Sequence, residues 1–81
     1  MSAWNDLDPE QRAVLDILNV APGRSVDYYA LRAQLERQGI VVRLKMLGEL
    51  TRRSFIEYVL EKNGLAPGRY RLTPEGRAAI H

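Results

Sequence analysis

The stretch Tyr70-Arg71-Leu72-Thr73-Pro74-Glu75-Gly76-Arg77 holds two kinds of local structure back to back. Its first half alternates. Tyr70 and Leu72 share one face and Arg69 and Arg71 the other, the period-two pattern of a strand covered on one side. Its second half starts a helix: Thr73 is a preferred N-cap, and Pro74 has its φ pre-set for the first helical position, where a missing N–H costs nothing. The strand therefore runs straight into a short final helix over 74–80, weakened by Gly76.

Upstream of this strand lies its partner. After Ser54 the apolar period falls from about 3.6 to 2, with Ile56, Tyr58 and Leu60 alternating with Glu57, Val59 and Glu61. Lys62-Asn63-Gly64-Leu65-Ala66-Pro67-Gly68 is rich in turn formers, Asn63-Gly64 above all. The two strands are expected to form a β-hairpin closed by that loop.

Further back the period is helical. Leu44, Leu47 and Leu50 recur at i, i+3 and i+6, which predicts a third helix with these leucines in the core and Arg43, Lys45, Glu49, Arg52 and Arg53 outside. Gly48 within it costs about 1 kcal/mol relative to alanine, so close approach to the second helix is the expected reason for it. The second helix has both ends written in the sequence. Asp27 is its N-cap, Val26 and Leu31 have hydrophobic-staple spacing, and Gly39 with Ile40 fits a Schellman close against Leu35. Arg24-Ser25-Val26 leaves room for two or three extended residues before it. The first helix opens on Asp8-Pro9-Glu10-Gln11, a cap, a first-turn proline and a reach-back amide. It carries Ala13, Val14, Ile17, Leu18 and Ala21 as one stripe and stops at Pro22-Gly23.

The 81 residues suffice for one domain, 1–81, with 1–7 as an N-terminal arm. There is no cysteine, hence no disulfide framework and no thiolate metal site. The start lacks the basic and apolar regions of a signal peptide, and no apolar run reaches the roughly 18 residues of a membrane span. A cytoplasmic protein without membrane contact is expected. The only histidine is His81, so no metal site, no cofactor and no serine–histidine pair is expected. No phosphate-cradling glycine loop precedes a lysine either. An enzyme and a small-molecule substrate are therefore not expected.

Net charge is only +2, but it is unevenly spread. Residues 1–40 carry four arginines against six carboxylates, and residues 41–81 carry eight cations against four. A phosphate-facing surface would have to lie in the second half. Ten of the twelve cations are arginine, whose planar fork suits phosphate and guanine. A GC-rich genome would produce the same bias.

The order helix, short strand, helix, helix, hairpin, short helix resembles the winged helix-turn-helix superfamily over about residues 8–80. Leu50-Thr51-Arg52-Arg53-Ser54-Phe55-Ile56 looks like the exit from a recognition helix into the wing. Tyr70 to Arg77 is similar to the wing-to-helix passage of MarR-like and PadR-like bacterial regulators. The resemblance implies an α+β fold, with a three-helix core, a two-stranded hairpin wing and a short C-terminal helix. It also implies double-stranded DNA as partner, in a bacterial or phage regulator or the DNA-contacting component of an assembly. Arg43, Lys45, Glu49, Arg52 and Arg53 of helix three would meet the major groove, and Lys62, Arg69 and Arg71 of the wing would meet the backbone or minor groove. Tyr29, at the start of helix two, is a further phosphate candidate through its hydroxyl and nearby free N–H groups. Trp4 and Leu65 are candidate contacts for a homodimer or protein partner. Helix three opens with apolar Ile40-Val41-Val42 where DNA readers usually present polar side chains, and the chain lacks long flanking dimerisation helices. This leaves a second expectation open: a protein-interaction winged helix, such as a phage or host assembly factor or inhibitor.

Overall fold

The computed structural model describes residues 3–60 and 68–80. A 3-10 turn at Ala3–Asp6 leads into α1 (Pro9–Val20), and a second at Pro22–Arg24 leads into β1 (Ser25–Asp27). Then follow α2 (Tyr28–Arg37), α3 (Leu44–Arg52), β2 (Ile56–Val59), β3 (Arg69–Leu72) and α4 (Pro74–Ala79). Lys62 and Leu65, with the Asn63-Gly64 turn and His81, lie outside the described residues.

The hairpin is wider than expected. The sheet is three-stranded and antiparallel in the order β1-β3-β2, with Val26 opposite Tyr70 on one side and Tyr58 opposite Tyr70 on the other. A three-residue strand shows no period to read. It becomes a strand only because β3 offers it a hydrogen-bonding edge.

One core joins α1, α2 and α3 to the sheet. Leu15 and Leu18 of α1, Leu31 and Leu35 of α2, Leu47 and Leu50 of α3, and Ile56 of β2 are fully buried, with Leu72 of β3 beside them. Each such side chain contributes about 1.5–3 kcal/mol. The described part of the N-terminal segment joins this core. Leu7 is buried, and Trp4 packs against the cluster with the Arg12 guanidinium 5.7 Å from its ring centre.

The helix ends follow the sequence closely. Asp27 accepts from Ala30 N–H at 2.8 Å, and Gln11 Oε1 accepts from Asp8 N–H at 3.1 Å. At the end of α2, Ile40 N–H reaches Leu35 O (2.9 Å) and Gly39 N–H reaches Glu36 O (3.0 Å), with Gly39 at φ +76°. That is the expected Schellman close. The end of α3 repeats it without a glycine. Phe55 N–H reaches Leu50 O and Ser54 N–H reaches Thr51 O, with Ser54 itself at φ +63°.

Three expectations need correction. Leu44 is 72% exposed, and the buried stripe of α3 is Met46, Leu47 and Leu50. Each i+3 step falls about 60° short of a full turn, so leucines at i, i+3 and i+6 fan over about 120° and one leaves the core. Gly48 is exposed, and a Cβ built there meets nothing within 4 Å, so no approach to α2 accounts for it. Of the β2 series only Ile56 is buried. Tyr58 and Leu60 are exposed, with the Tyr58 ring 5.0 Å from that of Tyr70 on the neighbouring strand.

The segment from Tyr70 to Arg77 is docked onto the end of α3. Thr73 N–H donates to Phe55 O (3.1 Å), Thr73 Oγ1 donates to Ser54 O, and Gly76 N–H donates back to Thr73 Oγ1 (2.9 Å). Gly76 is buried, and a Cβ there would overlap Phe55 O and lie 2.9 Å from Phe55 C. The glycine that weakens α4 as a helix is what lets α4 sit this close.

Candidate nucleic-acid interface

Burying Met46, Leu47 and Leu50 turns the opposite face of α3 outward. That face presents Leu44, Lys45, Gly48, Thr51 and Arg52, with Val41 and Arg43 exposed in the approach to it. The fold therefore leaves Arg43, Lys45 and Arg52 exposed at the surface. Arg53 caps the C-terminus of α3 and lies over the Phe55 ring, 5.2 Å from its centre.

Glu49 is placed differently. It is half-buried and faces α1, where its Oε2 accepts from Gln11 Nε2 at 3.3 Å. Gln11 is 5% exposed, and its amide ties the start of α1 to α3. The capping-box spacing identified half of that role. The contact with Glu49 spans 38 residues and has no local signal.

The charges of α3 are not isolated. Arg52 and Arg53 line a groove with Asp6, Asp8 and Glu49. Arg43 and Lys45 line another with Asp8, Glu10 and Glu49. Folding thus lays the acidic start of α1 alongside the cationic helix, which lowers the positive potential there. Among the described residues, however, no carboxylate comes within ion-pair distance of these four cations. Their donors are not consumed.

Arg69 and Arg71 of β3 are engaged within the sheet. Arg71 pairs with Glu57 directly across β2 and β3, its Nε donating at 2.6 Å. Both side chains are about half exposed, so the pair is worth under about 1 kcal/mol and a phosphate can displace Glu57 at little cost. Arg69 donates from Nε to Ser25 Oγ and from its terminal NH2 to Ser25 O, both at 3.2 Å, which fastens β3 to β1.

Tyr29 is exposed, with its ring edge-on to Tyr28 at 5.7 Å. The start of α2 is unsuited to phosphate, because Asp27 already accepts from Ala30 N–H and brings a negative charge of its own. Tyr70 lies between strands and α2. Burial, then its neighbours Tyr58 and Tyr28, push its hydroxyl above the ordinary tyrosine range.

Among the described residues no three His, Cys, Asp or Glu side chains gather as a metal site, and no helix is long and apolar enough to cross a membrane.

No protein-family model and no curated protein matches the chain. Two solved structures do. The hsRosR-S4 complex is similar at a TM-score of 0.75 and 24% identity, over 95% of this chain and 67% of that one. The hsRosR-S1 complex is similar at 0.75 and 23%, over 98% and 70%. At this identity the shared property is the path of the backbone, and RosR is of the winged-helix type. The chain has an α+β winged-helix fold.

Proposed function

We propose that this chain is a small winged-helix regulator that binds duplex DNA in a bacterial or phage cytoplasm and performs no catalysis. Under this proposal α3 enters the major groove and the hairpin lies along the backbone. The supporting observation is the outward face of α3, where Arg43, Lys45 and Arg52 are exposed with no carboxylate at ion-pair distance among the described residues. Arg53 at the helix end and Arg71 on the wing extend that surface towards flanking phosphates. Lys62, outside the described residues, would continue it. So few cations bind one site weakly, which makes a dimer or a DNA-bound partner part of the proposal. The finer resemblance to MarR-like and PadR-like regulators rests on Tyr70 to Arg77 alone.

The test is binding to duplex DNA across salt concentrations. Each phosphate contact contributes about −0.9 to the slope of log affinity against log salt. Arg52→Ala/Arg53→Ala is expected to flatten that slope by up to about 2 and weaken binding uniformly across sequences. No binding at low salt, or a parental slope in the double variant, overturns the proposal.

One observation favours a second function, a protein-interaction winged helix. Val41, in the approach to α3, and Leu44, on its outward face, are 70% and 72% exposed. Phosphates have no use for such a surface, and a protein partner does. Sedimentation with and without duplex separates the two. An assembly that forms without DNA and is lost in Leu44→Ser assigns the face to a protein contact. One that forms only on duplex belongs to the first proposal.

A further inference from the structure

On a part of the surface that shares no residue with the grooves beside α3, an open cleft of about 580 Å³ lies between the turn after α1 and the start of α4. Arg24 and Arg77 line it, and among the described residues no carboxylate does. Pro74 and Ala78 supply an apolar wall, with the buried Leu72 at its base. The volume falls within the range of ordinary small-molecule sites, about 300–1,000 Å³.

Two features of Arg24 mark the cleft further. Its Nε is buried, yet it finds no acceptor among the described residues. A buried donor without an acceptor is costly and uncommon, and it leaves the outer nitrogens of the same guanidinium as the ones an anion in the cleft can meet. Arg24 also holds a left-handed backbone, φ +54°, directly after Gly23 at φ +64°. Strained non-glycine backbone of this kind gathers where a side chain must be presented in one direction. Arg77, exposed on α4, has no carboxylate at ion-pair distance among the described residues.

We propose that this cleft is a binding site for a small organic anion. Its carboxylate or phosphate oxygens are taken by the guanidinium groups of Arg24 and Arg77, and its apolar remainder rests on Pro74 and Ala78. The site is independent of nucleic-acid binding and goes beyond it.

The experiment is an amide-resolved NMR titration of the full chain with sodium benzoate, benzamide and inorganic phosphate at matched ionic strength. Benzoate is expected to shift Gly23, Arg24, Arg77 and Ala78 saturably, while the neutral benzamide does not. Benzoate binding more tightly than phosphate supports the proposal, and phosphate binding as tightly as benzoate, which makes the apolar wall irrelevant, overturns it. Arg24→Gln and Arg77→Gln are each expected to weaken the anion about tenfold, the loss of one charge-assisted contact. Arg77 is exposed, so its variant keeps the fold and carries the test should Arg24→Gln unfold. Equal shifts from benzamide, shifts centred on the arginines of α3, or an Arg77→Gln variant that binds like the parent overturn the proposal.

Discussion

Gly48 and Gly76 both lie inside short helices, and replacing each by alanine is expected to move stability in opposite directions. Alanine inside a helix is favoured over glycine by about 1 kcal/mol when nothing else changes. At position 48 nothing else changes, because the new methyl meets no atom within 4 Å. At position 76 the methyl overlaps Phe55 O, with Phe55 C at 2.9 Å and Leu72 Cδ1 at 2.8 Å. The leucine methyl can rotate away. The Phe55 carbonyl cannot, since it accepts from Thr73 N–H at 3.1 Å and the adjacent Ser54 carbonyl accepts from Thr73 Oγ1. Relieving the overlap means moving α4 off the end of α3. Overpacking of this kind costs about 1–3 kcal/mol, and a lost backbone hydrogen bond adds about 1 kcal/mol. Set against the propensity gain, Gly76→Ala is expected to destabilise by about 1–3 kcal/mol and Gly48→Ala to stabilise by about 1 kcal/mol. In a domain of this size 1 kcal/mol moves the thermal midpoint by about 4–8 °C. Thermal and urea unfolding followed by circular dichroism therefore separate the two variants cleanly. A Gly76→Ala protein as stable as the parent would refute the docking of α4 on Phe55. A destabilised Gly48→Ala protein would refute the open face assigned to α3.

Two further substitutions test other parts of the argument. Ser54 closes α3 at φ +63° without being glycine, so Ser54→Gly is expected to stabilise by about 0.5–1 kcal/mol, read as a higher urea midpoint at unchanged slope. Glu57→Gln removes the partner of Arg71 and is expected to tighten duplex binding while steepening the salt dependence by about one contact; unchanged binding would remove Arg71 from the interface.

The charge pattern shows most plainly how sequence and space diverge. Along the chain the cations gather in residues 41–81. In the fold Asp6, Asp8 and Glu10 return to share grooves with Arg43, Lys45, Arg52 and Arg53. The linear asymmetry is therefore a poor guide to the potential at α3, because the helix that carries the acids packs beside the helix that carries the bases. What matters chemically is that these cations remain without a close carboxylate among the described residues, whereas Arg69 and Arg71 have taken partners.

Sequence alone determined whatever acts over one turn or one strand. Asp27, Gly39, Thr73 and Pro74 set the helix ends, the stripe that includes Val14, Ile17 and Leu18 marked α1, and the period-two run from Ile56 marked the strand β2. These signals are legible because caps, staples and periods are interactions between residues three or four apart, or two apart on a strand. Tertiary structure decided the rest. It recruited β1 to β3, turned Leu44 out, drew Glu49 to Gln11 and set Gly76 against Phe55. Each of these joins residues distant along the chain or depends on which arc of a helix a neighbour covers. The segment from Tyr70 to Arg77 belongs to both. Its strand and cap could be read locally, but its hold on the end of α3 exists only because the hairpin brings Thr73 back to Ser54 and Phe55.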